Sequence, residues 1–431
     1  MIRTRSLRTL VVSGLTATVL TSGSAVAVQP STSAASGTAA VMTEGTTELF
    51  GALAEAVIER RTAALLDTPA PAALTAKLAT STRGPVHLSS ATVAEEDAVV
   101  GELADLKKEL AEIPEAYTAA ETATTVDSVK VDGTTATVVV TEDTALTYKQ
   151  IHGDEPPTTE FQAEHRFVYS LGADGTWALT ASEPVNTSGP APINQVAVSP
   201  ADLTVPEPAE EANVEDGTED PDDGPALPPG TGDKPGDTAE DPAPLVGPLS
   251  SDTRRVSVKN LGEEPQKSAD GVALAASYNY SAMAKYAEKY WKNYNSAYRK
   301  FDGKGGDCTN FISQSLRAGG WKNKSGWYRN ANYWWYNSSN QTYSWTGVDH
   351  WATFAKKSGR TSILGNVYNM GIGDILQMDF NRAGGKDHSM IATHLANGQP
   401  YLTYHSNNTY RRSMASIVKA YPNATYYAHR T

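Results

Sequence analysis

The sequence predicts an α+β protein made of two folded domains joined by a disordered linker. Segments with the apolar period of helices precede segments with the two-residue period of strands, and this succession occurs twice along the 431 residues. A stretch rich in Pro, Gly, Asp and Glu separates the two occurrences. Seven of the eight tryptophans follow that stretch, so the second domain differs in composition from the first.

The first residues predict a signal peptide at residues 1–27 rather than a structural element. Three arginines precede an apolar core at residues 10–20, and Ala25-Val26-Ala27 is a small-residue cleavage site. We therefore expect a secreted protein, extracellular or associated with the cell wall. Residues 28–42 are rich in Ser, Thr and Ala and predict disorder. No later stretch reaches transmembrane length, so we expect no transmembrane anchor.

The first folded domain is expected over residues 43–204. One helical pattern covers residues 46–66 and another covers residues 95–110. Two hairpins follow, with Asp132-Gly133 and Asp174-Gly175 as their tight turns. Helices followed by a meander of long strands resemble the cone-shaped α+β folds of the nuclear-transport-factor-2 type. This domain carries no catalytic constellation, and the sequence leaves its role open.

Residues 205–271 predict an extended linker, because they hold too few apolar residues to form a core. Charge is distributed unevenly around it. Residues 207–241 carry 1 Lys+Arg against 13 Asp+Glu, whereas residues 272–431 carry 19 against 7. An acidic half is thus tethered to a basic second domain. We expect intramolecular docking of the acidic N-terminal half or of the acidic linker on the basic domain, which would restrain it until wall polymer or ionic strength competes.

The second domain, residues 272–431, is expected to place helices before an antiparallel sheet. The patterns predict helices over 280–298 and 308–318, then strands at 374–378, 389–393 and 401–405. This order is similar to that of papain-like cores.

Cys308 is the only cysteine of the chain and begins the second of these helices. Asp307 precedes it as a good N-cap, whose carboxylate is expected to accept from the free backbone N–H groups of the first turn. The positive end of a helix favours a thiolate, which a nucleophilic cysteine requires. The alternative is a small buried hydrophobic residue, the usual role of a free cysteine.

A thiolate nucleophile needs a base within hydrogen-bond distance and a group that orients the base. His388 is the candidate base, because it lies at the start of a predicted strand, where reactive groups project. His405 ends the neighbouring strand and is the candidate orienting residue. Asn407, two residues further on, is the alternative.

Several motifs occur together and in order. They are Tyr278-Asn279-Tyr280, the stretch from Asp307 to Gln314, Gly373-Asp374-Ile375-Leu376, Asp387-His388 and Tyr404-His405-Ser406-Asn407. With them, residues 278–431 resemble a family of amidase domains from exported bacterial proteins. That family is similar to the NlpC/P60 and CHAP cell-wall peptidases of the papain-like superfamily.

This resemblance implies an amide-bond hydrolase with Cys308 as nucleophile, His388 as base and His405 as the third polar residue. A thioester forms at Cys308, and its backbone N–H supplies part of the oxyanion hole. No cofactor is expected. Relatives carry an Asp-rich loop before the histidine, but Arg382 and Lys386 stand among the would-be ligands here, so we expect no metal.

The expected substrate is a peptide or amide bond of peptidoglycan. An exported enzyme with a basic, tryptophan-rich domain suits a polyanionic wall that carries peptide crosslinks. The alternative is an inactive module that adheres to wall polymers through the same surface. Nucleic-acid binding is disfavoured, because no known motif is present and the rest of the chain is acidic.

Overall fold

Helices and strands follow one another along the chain, and the protein is α+β. The computed structural model describes residues 44–70, 72, 74, 84–113, 115–196, 245–246, 278–301, 307–381 and 384–431. The predicted signal peptide, the segment at residues 28–42 and nearly all of the predicted linker lie outside the described residues. Among the helices that are described, none has the length and apolar character to cross a lipid bilayer.

The N-terminal part packs two helices against a group of strands. The helices are α1 (Glu44–Ala64) and α2 (Ser90–Glu112), and the strands are β1 (Val86–Leu88), β2 (Tyr117–Asp132), β3 (Thr135–Tyr148), β4 (Thr158–Leu171) and β5 (Trp177–Pro184). Gly133 and Gly175 have positive φ at the turns between β2 and β3 and between β4 and β5. Both predicted hairpins are therefore confirmed.

The C-terminal part has antiparallel strands with helices on both faces. The helices are α3 (Tyr280–Tyr290), α4 (Cys308–Ala318), α5 (Tyr343–Thr346), α6 (Val348–Lys357) and α7 (Met414–Ala420), and the strands are β6 (Leu245–Val246), β7 (Ser362–Ile363), β8 (Ile375–Asp379), β9 (His388–Ala396), β10 (Gln399–Tyr404), β11 (Asn408–Ser413) and β12 (Thr425–Arg430). Ile375 and Ile391 pack with α3, α4 and α6, whereas Leu376 and Met390 pack with α7. Alternate strand residues therefore contribute to two core clusters.

One sheet runs through both parts. Among the described strands its order is β1-β5-β4-β11-β10-β9-β8-β12-β6, with β3 and then β2 continuing from β4, and β7 paired to β12. The junction is the antiparallel pair β4–β11, where Phe161 is opposite Thr409. Phe161 also belongs to a core cluster with Leu110 of α2 and Tyr401 of β10. The described residues from Glu44 to Thr431 belong to one compact unit, and the domain boundaries expected from the sequence stay a prediction.

Two local expectations differ from the structure. The helix predicted to reach residue 298 ends at Tyr290. Beyond it, the Asn295 side chain accepts from the backbone N–H of Ala297, a local turn that competes with a helix. Within the predicted linker, Leu245–Val246 form β6 and pair with β12.

Candidate active site

Cys308 is the first residue of α4 and is fully buried. Its Sγ lies 3.7 Å from Thr309 Oγ1 and next to the backbone of Ser389, the second residue of β9. Burial raises the pKa of the Cys308 thiol to about 11, because the thiolate loses its hydration, and the Asp307 charge adds to this. In this arrangement the thiol is protonated at neutral pH.

Asp307 occupies the N-cap position of α4, but its side chain makes no capping hydrogen bond. Its Oδ1 accepts from the backbone N–H of Phe301 and from the amide of Asn310, at 3.0 and 2.8 Å. Its Oδ2 lies 2.7 Å from Nδ1 of His405. The predicted capping role was wrong, because three other donors already engage the carboxylate.

His405 follows β10 and lies on the α4 side of the sheet. Its ring is stacked between Phe311 and Tyr294, with centroids 3.9 and 4.1 Å away. Its Nε2 donates to the carbonyl oxygen of Tyr290 at 2.9 Å, while Nδ1 contacts Asp307. Both partners are acceptors, so the site fits an imidazolium with two donating nitrogens. A ring held in this way has no lone pair to accept another proton.

His388, the first residue of β9, faces the opposite side of the strand from Ser389. Ser389 Oγ lies 3.1 Å from Thr309 Oγ1 of α4, and successive strand residues point to opposite faces. The His388 ring accordingly lies near Phe380 and Tyr404. Neither ring nitrogen has a hydrogen-bond partner of ordinary geometry in the described part of the chain.

Burial also sets the protonation state of His388. It lowers the pKa of the imidazole to about 3, since the charged form would be desolvated. The backbone of Ser188 opposes this lowering, and the charge of His405 adds to it. His388 is therefore neutral at physiological pH in this arrangement.

The four predicted site residues therefore have different surroundings and do not form one hydrogen-bonded group. Asp307 links Cys308 to His405 on the α4 side of the sheet. His388 has no described hydrogen bond to Cys308 or to His405, so the predicted orienting contact is absent in this arrangement. Its absence follows from geometry, because both nitrogens of His405 are bonded elsewhere.

Asn407, the predicted alternative, contacts the N-terminal part instead of a histidine. It lies in the turn between β10 and β11, where Ser406 and Asn407 have φ of 64° and 63°. Its Nδ2 donates to the carbonyl oxygens of Asn186 and Pro190, at 3.2 and 3.1 Å. Residues 186–191, which follow β5, are called the strap below.

The strap covers His388. A Cβ built on Gly189 would lie 2.9 Å from His388 Cε1 and 2.4 Å from the Ser406 carbonyl oxygen, so only glycine fits. No sequence motif marked this segment as part of the candidate site. Its one signal, Ser188-Gly189-Pro190, predicts a turn but not the surface on which the turn lies.

Two carboxylates of the loop before His388 accept hydrogen bonds from backbone N–H groups of the same loop. Asp379 accepts from the backbone N–H of Gly384, and Asp387 accepts from that of Phe380, both at 2.8 Å. Within the described ranges, no group of three or more His, Cys, Asp or Glu side chains is arranged to hold a metal ion. Arg382 of this loop lies outside the described residues.

The motifs on α4, β9 and the β10–β11 turn agree with a known family. Residues 277–429 match the family model described as "Putative amidase domain". The resemblance inferred from the sequence motifs is therefore confirmed for the C-terminal part. The family description supports a hydrolase that acts on amide bonds.

Two curated relatives come from Bacillus subtilis (strain 168). The chain is 29% identical to "Uncharacterized protein YjcM" over 171 residues, which are 37% of this chain and 38% of the relative. It is 30% identical to "Uncharacterized protein YhbB" over 131 residues, which are 30% of this chain and 41% of the relative. The chain thus spans well under half the length of these relatives.

A solved structure titled "Crystal structure of intermembrane space region of chloroplast protein ARC6" is 16% identical to the chain. The match covers 33% of this chain and 96% of the other, with a TM-score of 0.21. A TM-score at this level says nothing about the fold.

Proposed function

We propose that the C-terminal part is a cysteine-dependent amidase or peptidase with a papain-like core. The observation that carries this proposal is the position of Cys308, which begins α4 beside the Asp307–His405 pair. The surrounding stretch is similar to a family of amidase domains. Asp307 leaves the first turn of α4 uncapped, so the Cys308 backbone N–H is free of that partner and is the proposed oxyanion donor.

His388 is the proposed base. It needs a lone pair to take the thiol proton, and it is neutral with both nitrogens unpartnered among the described residues. His405 is engaged by two acceptors and is the proposed charged neighbour that stabilises the thiolate, with Asn407 as the alternative third residue. In this arrangement His388 and Cys308 lie on opposite sides of β9, so the proposed working form requires the start of β9 to rearrange and bring the imidazole to Cys308.

The reaction then follows ordinary acyl transfer. The Cys308 thiol gives its proton to His388, and the thiolate attacks the amide carbonyl carbon. The oxyanion collapses, the C–N bond breaks, and the amine leaves with the proton from His388. Water, deprotonated by the same imidazole, hydrolyses the thioester and releases a carboxylic acid and the free thiol.

A peptide or amide bond of peptidoglycan is the proposed substrate, and the proposed location is outside the cell or in its wall. The basic composition of residues 272–431 supports a polyanionic partner. Docking of the acidic half on the basic domain is also a proposal. Two ion pairs support it, Lys292–Asp143 at 2.7 Å and Lys419–Glu112 at 3.0 Å.

The test is incubation of the mature protein with peptidoglycan fragments, followed by detection of new amines and new masses. The wild type is expected to release amines, whereas Cys308→Ala is expected to lose essentially all turnover because no nucleophile remains. Ser315→Ala, on the same helix, is the matched control and keeps its turnover. Equal release by wild type and Cys308→Ala would rule out the cysteine mechanism.

An inactive wall-binding module is the second candidate. It is favoured by the protonated Cys308 and by the covered His388 in this arrangement. This module would bind peptidoglycan without releasing amines, and its binding would be the same for wild type and Cys308→Ala.

A further inference from the structure

The strap is held by contacts to its main chain rather than to its side chains. Asn407 Nδ2 donates to two strap carbonyl oxygens. Arg412 Nη1 donates to the carbonyl oxygen of Ala191 at 2.8 Å, and the Ala191 N–H donates to Tyr421 Oη at 2.6 Å. A surface that hydrogen-bonds to main-chain groups recognises the path of a peptide, and the close approach at Gly189 restricts one position of that peptide to glycine.

The residues that hold the strap are themselves buried. Arg412 is 2% exposed, Asn407 6% and Tyr421 8%. Buried polar side chains must keep hydrogen-bond partners. Removing the strap without a replacement ligand therefore costs free energy. A segment with peptide carbonyl and N–H groups in the same places satisfies them.

Polar atoms near Gly189 lack partners while the strap is bound. The Ser406 hydroxyl and both ring nitrogens of His388 are buried without a hydrogen bond of ordinary geometry in the described part of the chain, and the backbone of Ser188 approaches the imidazole. The strap places Gly189, which has no side chain, against His388 and the Ser406 backbone. These atoms therefore fit a ligand that supplies polar groups which the strap does not.

The ends of the strap are anchored in the N-terminal part. The Val185 N–H donates to the Glu164 carbonyl oxygen at 2.9 Å, which extends the β4–β5 pairing up to the strap. On the other side, Asn194 Nδ2 donates to Glu142 Oε1 at 2.7 Å in a buried network. Both anchors lie outside the surface around His388, so the strap can leave that surface while its ends stay attached.

We propose that Asn407, Arg412 and Tyr421 form a peptide-binding subsite beside His388, and that the strap occupies it as an intramolecular competitor of the substrate. The ligand is a peptide that follows the path of the strap with glycine opposite His388, since a Cβ at that position has no room. The proposal rests on the proposed function, whose substrate class it narrows. The N-terminal part then controls access to His388.

The test measures the cover over His388 directly. Diethyl pyrocarbonate modifies accessible imidazoles, and the modified His388 peptide is quantified by mass spectrometry in the full mature chain carrying Cys308→Ala. In Gly189→Leu the overpacked side chain should displace the strap and raise the modification rate by about tenfold or more. Thr187→Leu, the same substitution at an exposed strap position, should leave the rate unchanged.

A synthetic peptide with the sequence of residues 185–192 then tests the subsite. Added to Gly189→Leu, it should restore protection of His388, whereas the same peptide with leucine in place of its glycine should not. Unchanged modification in Gly189→Leu overturns the proposal, and so does a failure of the peptide to protect.

A second variant keeps the test valid if Gly189→Leu does not fold. Tyr421→Phe removes one hydrogen bond to the strap without adding bulk and should raise modification by about fivefold. These readouts do not depend on turnover. Protection without hydrolysis by any Cys308-containing variant supports the subsite and contradicts the proposed function. Equal hydrolysis by wild type and Gly189→Leu supports the function and overturns the competitor.

Discussion

At the residue scale, burial sets the state of the candidate site. It raises the pKa of Cys308 and lowers that of His388, so both groups are neutral near pH 7. A thiolate–imidazolium pair would need two charges in a buried region, which is unfavourable. Access of a substrate or water to this region is therefore the step that changes the chemistry.

The pKa of Cys308 predicts how its alkylation depends on pH. Only the thiolate reacts with iodoacetamide, and burial raises the thiol pKa to about 11. The rate in the wild type should therefore rise about tenfold per pH unit from pH 7 to 10 without reaching a plateau. A plateau below pH 9 in the wild type would contradict the buried, neutral thiol.

Local patterns predicted that Cys308 lies at the start of a helix, because the residues that begin a helix are neighbours in the sequence. The side that His388 faces could not be predicted in the same way. It depends on the pairing of β9 with β8, where His388 is opposite Met378, and on a strap distant in sequence. The contact of His405 with Asp307 likewise depends on how two distant segments pack.

At the element scale, α4 is positioned by its close approach to α3. Gly319 ends α4, and a Cβ built there would lie 2.2 Å from Met283 Cγ and 3.0 Å from the Asn279 carbonyl oxygen. Asn279 caps α3 through the backbone N–H of Ala282. The close packing of α3 against α4 at this point therefore requires a residue without a side chain.

We expect Gly319→Ala to reduce the free energy of unfolding by about 1–3 kcal/mol, because the added methyl overpacks the α3–α4 contact. Denaturant unfolding followed by circular dichroism measures this change. Gly365→Ala is the matched control, since nothing lies within 4 Å of its built Cβ and its φ is not positive. Equal midpoints for the two variants would show that the contact is not tight.

Apolar periods located most of the helices and strands that the structure describes. The errors occur where a hydrogen bond outside the periodic pattern decides the local structure. Asn295 forms a turn where the aromatic stripe continues to suggest a helix, and Leu245–Val246 pair with a strand despite their setting in an acidic, Pro-rich stretch. Periodicity describes one segment at a time and carries no information about such partners.

At the scale of the whole molecule, the β4–β11 pair makes the two parts share a sheet and a core cluster. The sequence showed that the two parts differ in composition, but it did not predict that β4 pairs with β11. Phe161, which is 1% exposed, faces Leu110 and Tyr401 as well as its own hairpin. The shared packing indicates that the parts unfold together.

Phe161→Ala tests this cooperativity. Loss of the buried ring should cost about 3–5 kcal/mol and should lower the stability of both parts at once. Tryptophan fluorescence reports the C-terminal part, which holds seven of the eight tryptophans, so its midpoint should shift although the mutation is N-terminal.

The matched control for this variant is Val126→Ala on β2, whose side chain is 36% exposed, with an expected change within about 0.5 kcal/mol. If the fluorescence midpoint does not move in Phe161→Ala, the two parts unfold independently.

The same junction constrains the order of folding. Gln162 and Asn408 are hydrogen-bonded at 3.2 Å but lie 246 residues apart in the chain. Closing so long a loop costs entropy before any contact compensates for it, so distant strands pair after local hairpins. The contact between the strap and the residues that hold it, Asn407, Arg412 and Tyr421, depends on this late pairing. We therefore expect the strap to cover His388 in the same kinetic phase of folding in which β4 pairs with β11.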